Sequence, residues 1–223
     1  MARPMTERLT RKPGLRSRQK TERQADILNA AIYVMAEKGY HKTRISDIAE
    51  HAGVAYGLVY HYFGSKEKIL AYILESLWER FGERISKIQN SGQSTASKLT
   101  EIMDYMLDTQ IARPDIIRLL VQEIVRARNI ENLPEMEIVR RIIGMIEQVF
   151  IDGVAAGELE AGTDTRLLAL TFFGSVELLL TAVATGVYNP GKKLDTRQLK
   201  HLKKQMRAFI HGGSFGVSPE AKS

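Results

Sequence analysis

The stretch TRISDIAEHAGVAYGLVYHYF, residues 43–63, decides the fold of the N-terminal third of this 223-residue chain. It contains two short helical patterns that meet at Ala52-Gly53-Val54, where a small residue, a glycine and an apolar residue permit a tight turn between helices. Val59 and Phe63 lie four residues apart and are expected to face inward. The outward-facing positions are then Tyr56, Gly57, Tyr60 and His61. The pattern predicts a helix-turn-helix whose second helix enters a DNA major groove.

Helical patterns extend on both sides of this stretch. Upstream, apolar residues at spacings of three and four predict a first helix over 21–38, which Gly39 ends. Thr43 is predicted to cap the second helix, and Ser65 to cap a long fourth helix. Further helices are predicted over 95–112, 114–128, 134–156, 164–187 and 195–211. Since no long period-two alternation indicates a strand, the chain is predicted to be all-α with about nine helices.

Charge is distributed unevenly along the chain. Residues 1–68 hold 13 Lys and Arg against 7 Asp and Glu, whereas 69–223 hold 19 of each, so the net charge of +6 lies in the first third. A basic segment beside a neutral body predicts a polyanionic partner for one end only. Residues 1–20 are predicted to form a flexible basic arm. A basic disordered tail without a partner is the alternative interpretation.

The longer run GYHKTRISDIAEHAGVAYGLVYHYFGSKEKIL, residues 39–70, resembles the signature of the TetR/AcrR family of regulators. The resemblance covers residues 21–81, and Ala55 and Leu58 depart from it where the family has Ser or Thr. It implies a homodimeric repressor that binds a palindromic DNA operator and is released by a small-molecule effector. The DNA-binding residues it implies are Arg44, Ser46, Tyr56, Gly57, Tyr60, His61 and Lys66.

The chain is predicted to consist, after the arm, of a DNA-binding domain over 21–81, a ligand-binding and dimerisation domain over 82–212, and a disordered tail over 213–223. Within the second domain, residues 150–177 are similar to the TetR-type regulators of fatty-acid degradation. Those regulators respond to long-chain acyl-CoA. The similarity therefore implies a hydrophobic effector, with a long-chain acyl-CoA as the specific expectation.

Apolar residues on the central helices predict a ligand pocket. The predicted lining is Phe81, Ile85, Met103, Met106, Leu107, Leu120, Ile124, Met145, Ile146 and Phe150. The alternative is that these residues form ordinary core. Arginines near them are candidates for the phosphates of coenzyme A, the alternative being solvated side chains or salt bridges: Arg80, Arg84, Arg118 and Arg126.

The predicted eighth helix is apolar on nearly all sides. Residues 167–188 carry one charge, Glu177, and are long enough to span a membrane. A mid-helix glutamate and the lack of flanking aromatic belts favour a soluble protein without a membrane partner. The family resemblance implies that the last two helices form the dimer interface. The predicted interface is Leu168, Phe172, Val176, Leu179, Leu180, Val183, Leu199, Leu202 and Met206.

Other functional classes have less support. The chain has no cysteine, its histidines do not have the spacing of a helical metal pair, and no catalytic motif is present, so we expect no metal, no cofactor and no enzymatic activity. The polar N-terminus lacks the apolar core of a secretory signal, which predicts a cytoplasmic protein. A small helical enzyme or a lipid carrier is the alternative, which residues 21–66 argue against.

Overall fold

The computed structural model of the chain describes residues 15–126, 134–191 and 194–214, excluding the side chains of 15–21, 121–138 and 213–214. The described residues form nine α-helices and no strand, which confirms the all-α prediction. The helices are α1 Leu15–Lys38, α2 Ile45–His51, α3 Tyr56–Phe63, α4 Lys66–Gln89, α5 Thr95–Ala112, α6 Pro114–Arg126, α7 Pro134–Ala155, α8 Thr165–Ala184 and α9 Thr196–Phe209.

Two compact units make up the chain, and the division between them falls within α4, between Ala71 and Tyr72. The sequence-based domain boundary lay ten residues later, after residue 81. The chain therefore passes from one unit to the other inside a helix, where the apolar pattern continues and no Pro or Gly marks the change.

In the N-terminal unit, α1 packs against α2, and α2 packs against α3. Its core consists of the residues that the helical periodicity placed inside. They include Ile27, Ala31, Val34, Met35, Ile48, Val59, Phe63 and Ile69. The inward assignment of Val59 and Phe63 is thus confirmed, and it fixes which face of α3 is left for solvent.

Two predicted helix starts in this unit were wrong. The first helix begins at Leu15, so the last six residues of the predicted flexible arm are helical; residues 1–14 lie outside the described residues. Leu, Arg, Gln and Lys in this segment have good helix propensity, which the arm interpretation overlooked. Thr43 does not cap α2, because its buried hydroxyl donates to the carbonyl oxygen of Gly39 at 2.9 Å.

In the C-terminal unit, α5 packs against α6, α7, α8 and α9 and forms the centre of one continuous apolar core. Pro114 is the first residue of α6, as predicted. Asp164 caps α8 by accepting from the backbone N–H of Leu167 at 2.9 Å. One π-helical turn over Ile210–Ser214 follows α9 and includes the first two residues of the predicted disordered tail. The rest of that tail lies outside the described residues.

The α8 helix, Thr165–Ala184, combines high mean hydropathy (2.0) with little burial, since 22% of its most apolar window is buried within the single chain. By length and composition alone it could cross a membrane, and it is the one helix of the described part of which this is true. Exposed apolar surfaces of this kind mark sites that another protein surface, a ligand or a membrane covers.

Candidate nucleic-acid interface and apolar cavity

The turn between α2 and α3 is built by local hydrogen bonds and one glycine. The backbone N–H of Val54 donates to the carbonyl oxygen of Ala49 at 3.0 Å, and that of Gly53 donates to Glu50 at 3.1 Å. Gly53 has a φ of +63°, in the left-handed region that an L side chain rarely adopts. These contacts set the direction in which α3 leaves α2, as a helix-turn-helix requires.

The outward face of α3 carries the predicted DNA-reading residues together. Tyr56 and Tyr60 are 56% and 58% exposed, and Gly57 and His61 are also exposed. A Cβ added to Gly57 would meet no described atom within 4 Å, so the protein itself does not require glycine at this place. Two exposed tyrosines flanking an unobstructed glycine form a surface on which a nucleic-acid backbone can approach the helix closely.

The start of α2 carries two further predicted DNA-binding residues, and the Asp47 carboxylate stabilises it. Arg44 and Ser46 are exposed, as their predicted role requires. The backbone N–H of Arg44 donates to Asp47 Oδ2 at 2.9 Å, and Lys38 Nζ lies 3.1 Å from Asp47 Oδ1. The backbone hydrogen bond from Arg44, followed by the Lys38 ammonium, holds the pKa of Asp47 below its ordinary value of 3.8.

We expect Asp47→Asn to lower the free energy of unfolding at neutral pH. A carboxylate whose pKa is lower in the folded than in the unfolded state stabilises the fold above its ordinary pKa, and that stabilisation is lost as the pH falls through the folded pKa. Urea titrations should therefore show the largest difference between variant and wild type at pH 6 and a shrinking one below 3.8. Glu50→Gln, on the same helix, controls for the change in net charge. A difference that is constant across this pH range would contradict the prediction.

Lys66 is placed differently from a free phosphate-binding lysine. Its ammonium donates to the carbonyl oxygens of Tyr40 at 2.9 Å and His41 at 3.4 Å, and lies 4.4 Å from the centre of the Tyr40 ring. The Tyr40 hydroxyl in turn donates to Glu67 Oε1 at 3.1 Å. Because an ammonium has three donors, one N–H is left for a phosphate after the two carbonyl contacts. The main contacts of Lys66 in this structure fasten the segment after α1 to the start of α4.

An apolar cavity of about 290 Å³ lies within the C-terminal unit. Side chains of five helices, α4 to α8, form its described wall. They are Leu77, Trp78, Phe81, Tyr105, Met106, Thr109, Ile117, Leu120, Val139, Phe173, Glu177, Leu180 and Thr181. A volume near the lower end of the usual range for ligand pockets, with a mostly apolar wall, fits a hydrocarbon chain or another slender apolar body.

Aromatic contacts keep one side of this cavity in place. The Phe81 ring stacks on Tyr105 with 5.8 Å between centroids, and Trp78 meets Phe81 edge-on at 6.1 Å. The Thr109 hydroxyl donates to the carbonyl oxygen of Tyr105 at 2.9 Å, within the same helix. Because contacts between aromatic rings are favourable and hold the rings in place, this part of the cavity wall has its shape before a ligand binds.

Sequence reasoning found three of the wall residues, Phe81, Met106 and Leu120. Five other predicted lining residues are fully buried in the core and do not reach the cavity, so that prediction was wrong for Ile85, Met103, Leu107, Ile146 and Phe150. Met145 lies instead beside a shallow groove between α4 and α7. The side chain of Ile124 lies outside the described residues. The wall residues that were missed include the aromatic Trp78, Tyr105 and Phe173 and the charged Glu177.

The predicted dimer interface also needs correction. Five of its residues are buried in the core of their own chain, where a second chain cannot reach them: Phe172, Val176, Leu180, Leu199 and Leu202. The other four, Leu168, Leu179, Val183 and Met206, are half-buried. The exposed apolar residues of α8 are Leu167 (58%), Leu170 (46%) and Leu178 (66%), which recur along one side of the helix. We refer to these three residues as the α8 apolar face.

The predicted phosphate-binding arginines already have partners where they are described. Arg84 pairs with Glu101 at 2.7 Å, and its guanidinium carbon lies 6.0 Å from the Tyr105 ring centre. Arg80 donates to the carbonyl oxygen of Ser76 at 3.0 Å. Arg118 is half-buried and interacts with another group, and the side chain of Arg126 lies outside the described residues.

Among the described residues no group of His, Cys, Asp or Glu has the geometry of a metal site.

Comparisons with known proteins agree with both parts of the structure. Residues 27–73 match the family of bacterial regulatory proteins called the tetR family, and residues 96–205 match a tetracyclin repressor-like C-terminal domain. The fatty acid metabolism regulator protein of Bacillus subtilis is 30% identical over 176 residues, which cover 78% of this chain and 89% of that protein.

Solved structures give the same result. The fatty acid degradation regulator FadR from Bacillus halodurans has a TM-score of 0.74 at 26% identity, covering 91% of this chain and 98% of that one. FadR from Bacillus subtilis, solved in complex with stearoyl-CoA, has a TM-score of 0.69 at 26% identity, covering 88% and 99%. With the exposed face of α3, these matches confirm the predicted family. The chain belongs to the TetR family of bacterial regulatory proteins and is a DNA-binding transcriptional regulator.

Proposed function

We propose that this regulator is a dimeric repressor that releases its operator when a long-chain acyl-CoA, or a close chemical relative, enters the cavity of the C-terminal unit. The observation that carries this proposal is the cavity itself, apolar and partly preformed by stacked aromatic rings. Support also comes from the Bacillus subtilis FadR structure, which holds stearoyl-CoA, and from relatives named for fatty-acid metabolism.

On the DNA side, we assign close backbone approach to Gly57 and contacts with phosphates or base edges to Tyr56, Tyr60 and His61. All four are exposed on one face of α3. Arg44 and Ser46 are the next contacts, from the start of α2. Lys66 contributes at most one N–H, because its other contacts fix the segment before α2.

Communication between the cavity and the DNA-reading unit involves α4. The chain passes between the two units within this helix, and Leu77, Trp78 and Phe81 of the cavity wall belong to it. An effector that binds more tightly to one arrangement of this wall shifts the population toward that arrangement. We propose that the favoured arrangement sets the two DNA-reading units of the dimer at a spacing that does not match the operator.

The coenzyme A part of the effector needs a cationic partner, and we propose Arg84. Its guanidinium lies beside Tyr105, a wall residue, and its partner Glu101 is a half-exposed carboxylate. A surface ion pair of this kind is worth about 0–1 kcal/mol, so a phosphate can replace the carboxylate at small cost. We further propose that the protein acts in the cytoplasm and carries out no catalytic step.

Fluorescence anisotropy with DNA from upstream of the protein's own gene tests the proposed function. We expect nanomolar-range binding, as for specific regulators of this kind, and release by stearoyl-CoA but not by coenzyme A without its acyl chain. Binding that stearoyl-CoA leaves unchanged would contradict the proposed effector class. An equal affinity for unrelated DNA would show that the DNA upstream of the gene contains no specific operator for this protein.

Tyr60→Phe should weaken operator binding by about 1 kcal/mol, or roughly fivefold, if the hydroxyl donates to a DNA phosphate. The free energy of unfolding should not change, because the ring is exposed in the free protein. Tyr33→Phe is the matched control, since Tyr33 is 49% exposed on α1 and its ring stacks on His51 without needing the hydroxyl. Equal affinities of Tyr60→Phe and wild type would remove the hydroxyl from the proposed contacts.

A further inference from the structure

Glu177 of α8 is the one charged side chain among the described residues of the cavity wall. It is half-buried, and its Oε1 accepts a hydrogen bond from the Thr181 hydroxyl at 3.2 Å. Thr181 lines the cavity as well. A carboxylate and a hydroxyl therefore interrupt a wall whose other members are mainly aromatic and aliphatic.

A purely hydrocarbon ligand is a poor match for this part of the wall. An ionised carboxylate can accept about four hydrogen bonds, and Thr181 supplies one. A saturated chain that fills the cavity would displace water from the carboxylate and give no donor in return, which is unfavourable. A ligand that carries a hydrogen-bond donor at this point would replace the hydrogen bonds that the carboxylate loses with the displaced water.

We propose that the effector presents a hydrogen-bond donor, a hydroxyl or an ammonium group on an otherwise apolar body, to the Glu177 carboxylate. The inference rests on the proposed function in placing the effector in this cavity. A hydroxylated acyl chain satisfies both the inference and the proposed acyl-CoA class. An ammonium group would in addition bring a positive charge to the carboxylate, and charge-assisted hydrogen bonds are stronger than neutral ones.

Competition binding with three kinds of probe distinguishes these possibilities. The probes are stearoyl-CoA, a series of stearoyl-CoA derivatives with one hydroxyl group at different chain positions, and octadecylamine. Wild type, Glu177→Leu and Glu177→Gln are compared, with Glu160→Gln, an exposed carboxylate outside the cavity wall, as the control. Thermal unfolding of each variant verifies that it is folded.

We expect at least one hydroxylated derivative to bind wild type about 10- to 100-fold more tightly than stearoyl-CoA, or octadecylamine to bind wild type about 10- to 100-fold more tightly than it binds Glu177→Leu. Glu177→Leu should abolish this preference. Glu177→Gln should retain part of it for a hydroxyl, which still finds an acceptor, and lose it for an ammonium, which needs the charge. Glu160→Gln should behave as wild type.

The results distinguish a failure of the inference about Glu177 from a failure of the proposed acyl-CoA response. If stearoyl-CoA binds wild type as tightly as every other probe, the inference is wrong and the proposed acyl-CoA response stands. If only octadecylamine binds, and does so through Glu177, the inference stands and the acyl-CoA proposal is wrong. If no probe binds, both are overturned.

Discussion

Leu178→Glu should convert the protein to a monomer and weaken operator binding by about 100- to 10,000-fold. Leu178 is 66% exposed on the α8 apolar face, with Leu167 and Leu170 along the same side. In a two-fold symmetric dimer each copy would bring its own glutamate to the shared surface, where the charges would be desolvated and would repel. A palindromic operator is bound tightly because two linked units bind at once, and a monomer loses that advantage.

Sedimentation velocity and anisotropy measured on the same samples would test this prediction. Ile151→Glu is the matched control, because it places the same charge at a 41% exposed apolar residue of α7, outside the α8 apolar face. The control should remain dimeric and bind the operator. The helical content of Leu178→Glu by circular dichroism should equal that of wild type, since the side chain is not part of the chain's core. A dimeric Leu178→Glu would exclude this face as the subunit interface.

The error in the predicted interface has a definite physical cause. A helix that is apolar all around gives no periodic signal for which side packs in its own chain, so Phe172 and Leu178 look alike in the sequence. The structure separates them completely: Phe172 is buried at the centre of the C-terminal core, and Leu178 is exposed. By contrast, Val59 and Phe63 were assigned correctly because two apolar residues four apart lie on the same side of α3, while the glycine and the tyrosines Tyr56 and Tyr60 occupy other positions around the helix.

The predicted pocket residues were partly wrong for a related reason, because the pattern of one helix does not report what faces it. Helical periodicity places Ile85 and Phe81 on the inner side of α4, and both are indeed buried. Whether a buried side chain borders empty space depends on the volumes of the residues that face it from other helices, which no pattern within one helix reports. Glu177 did carry a signal, because a lone charge in a long apolar helix is costly unless it has a function or a partner.

Gly153→Ala should lower the free energy of unfolding by about 1–2 kcal/mol, although alanine is the better helix former. Gly153 lies in α7, where a Cβ would stand 2.4 Å from Oγ1 and 3.3 Å from Cβ of Thr95 and 3.1 Å from Cδ1 of Leu159. Thr95 is buried at the start of α5, so its side chain has little room to rotate away, and its backbone N–H donates to Glu158 Oε2 at 2.6 Å, which holds its main chain in place. The closeness of α7 to α5 at this point thus requires glycine.

Gly144→Ala in the same helix provides the contrast. No described atom lies within 4 Å of an added Cβ at Gly144, so only helix propensity operates and the variant should be more stable by about 0.5–1 kcal/mol. Urea titrations at one fixed protein concentration are required, because the stability of a dimer depends on concentration. In a Thr95→Ala background the cost of Gly153→Ala should fall, since the atom at 2.4 Å is then gone. If both glycine variants were equally stabilised, the tight contact between α7 and α5 would not exist in solution.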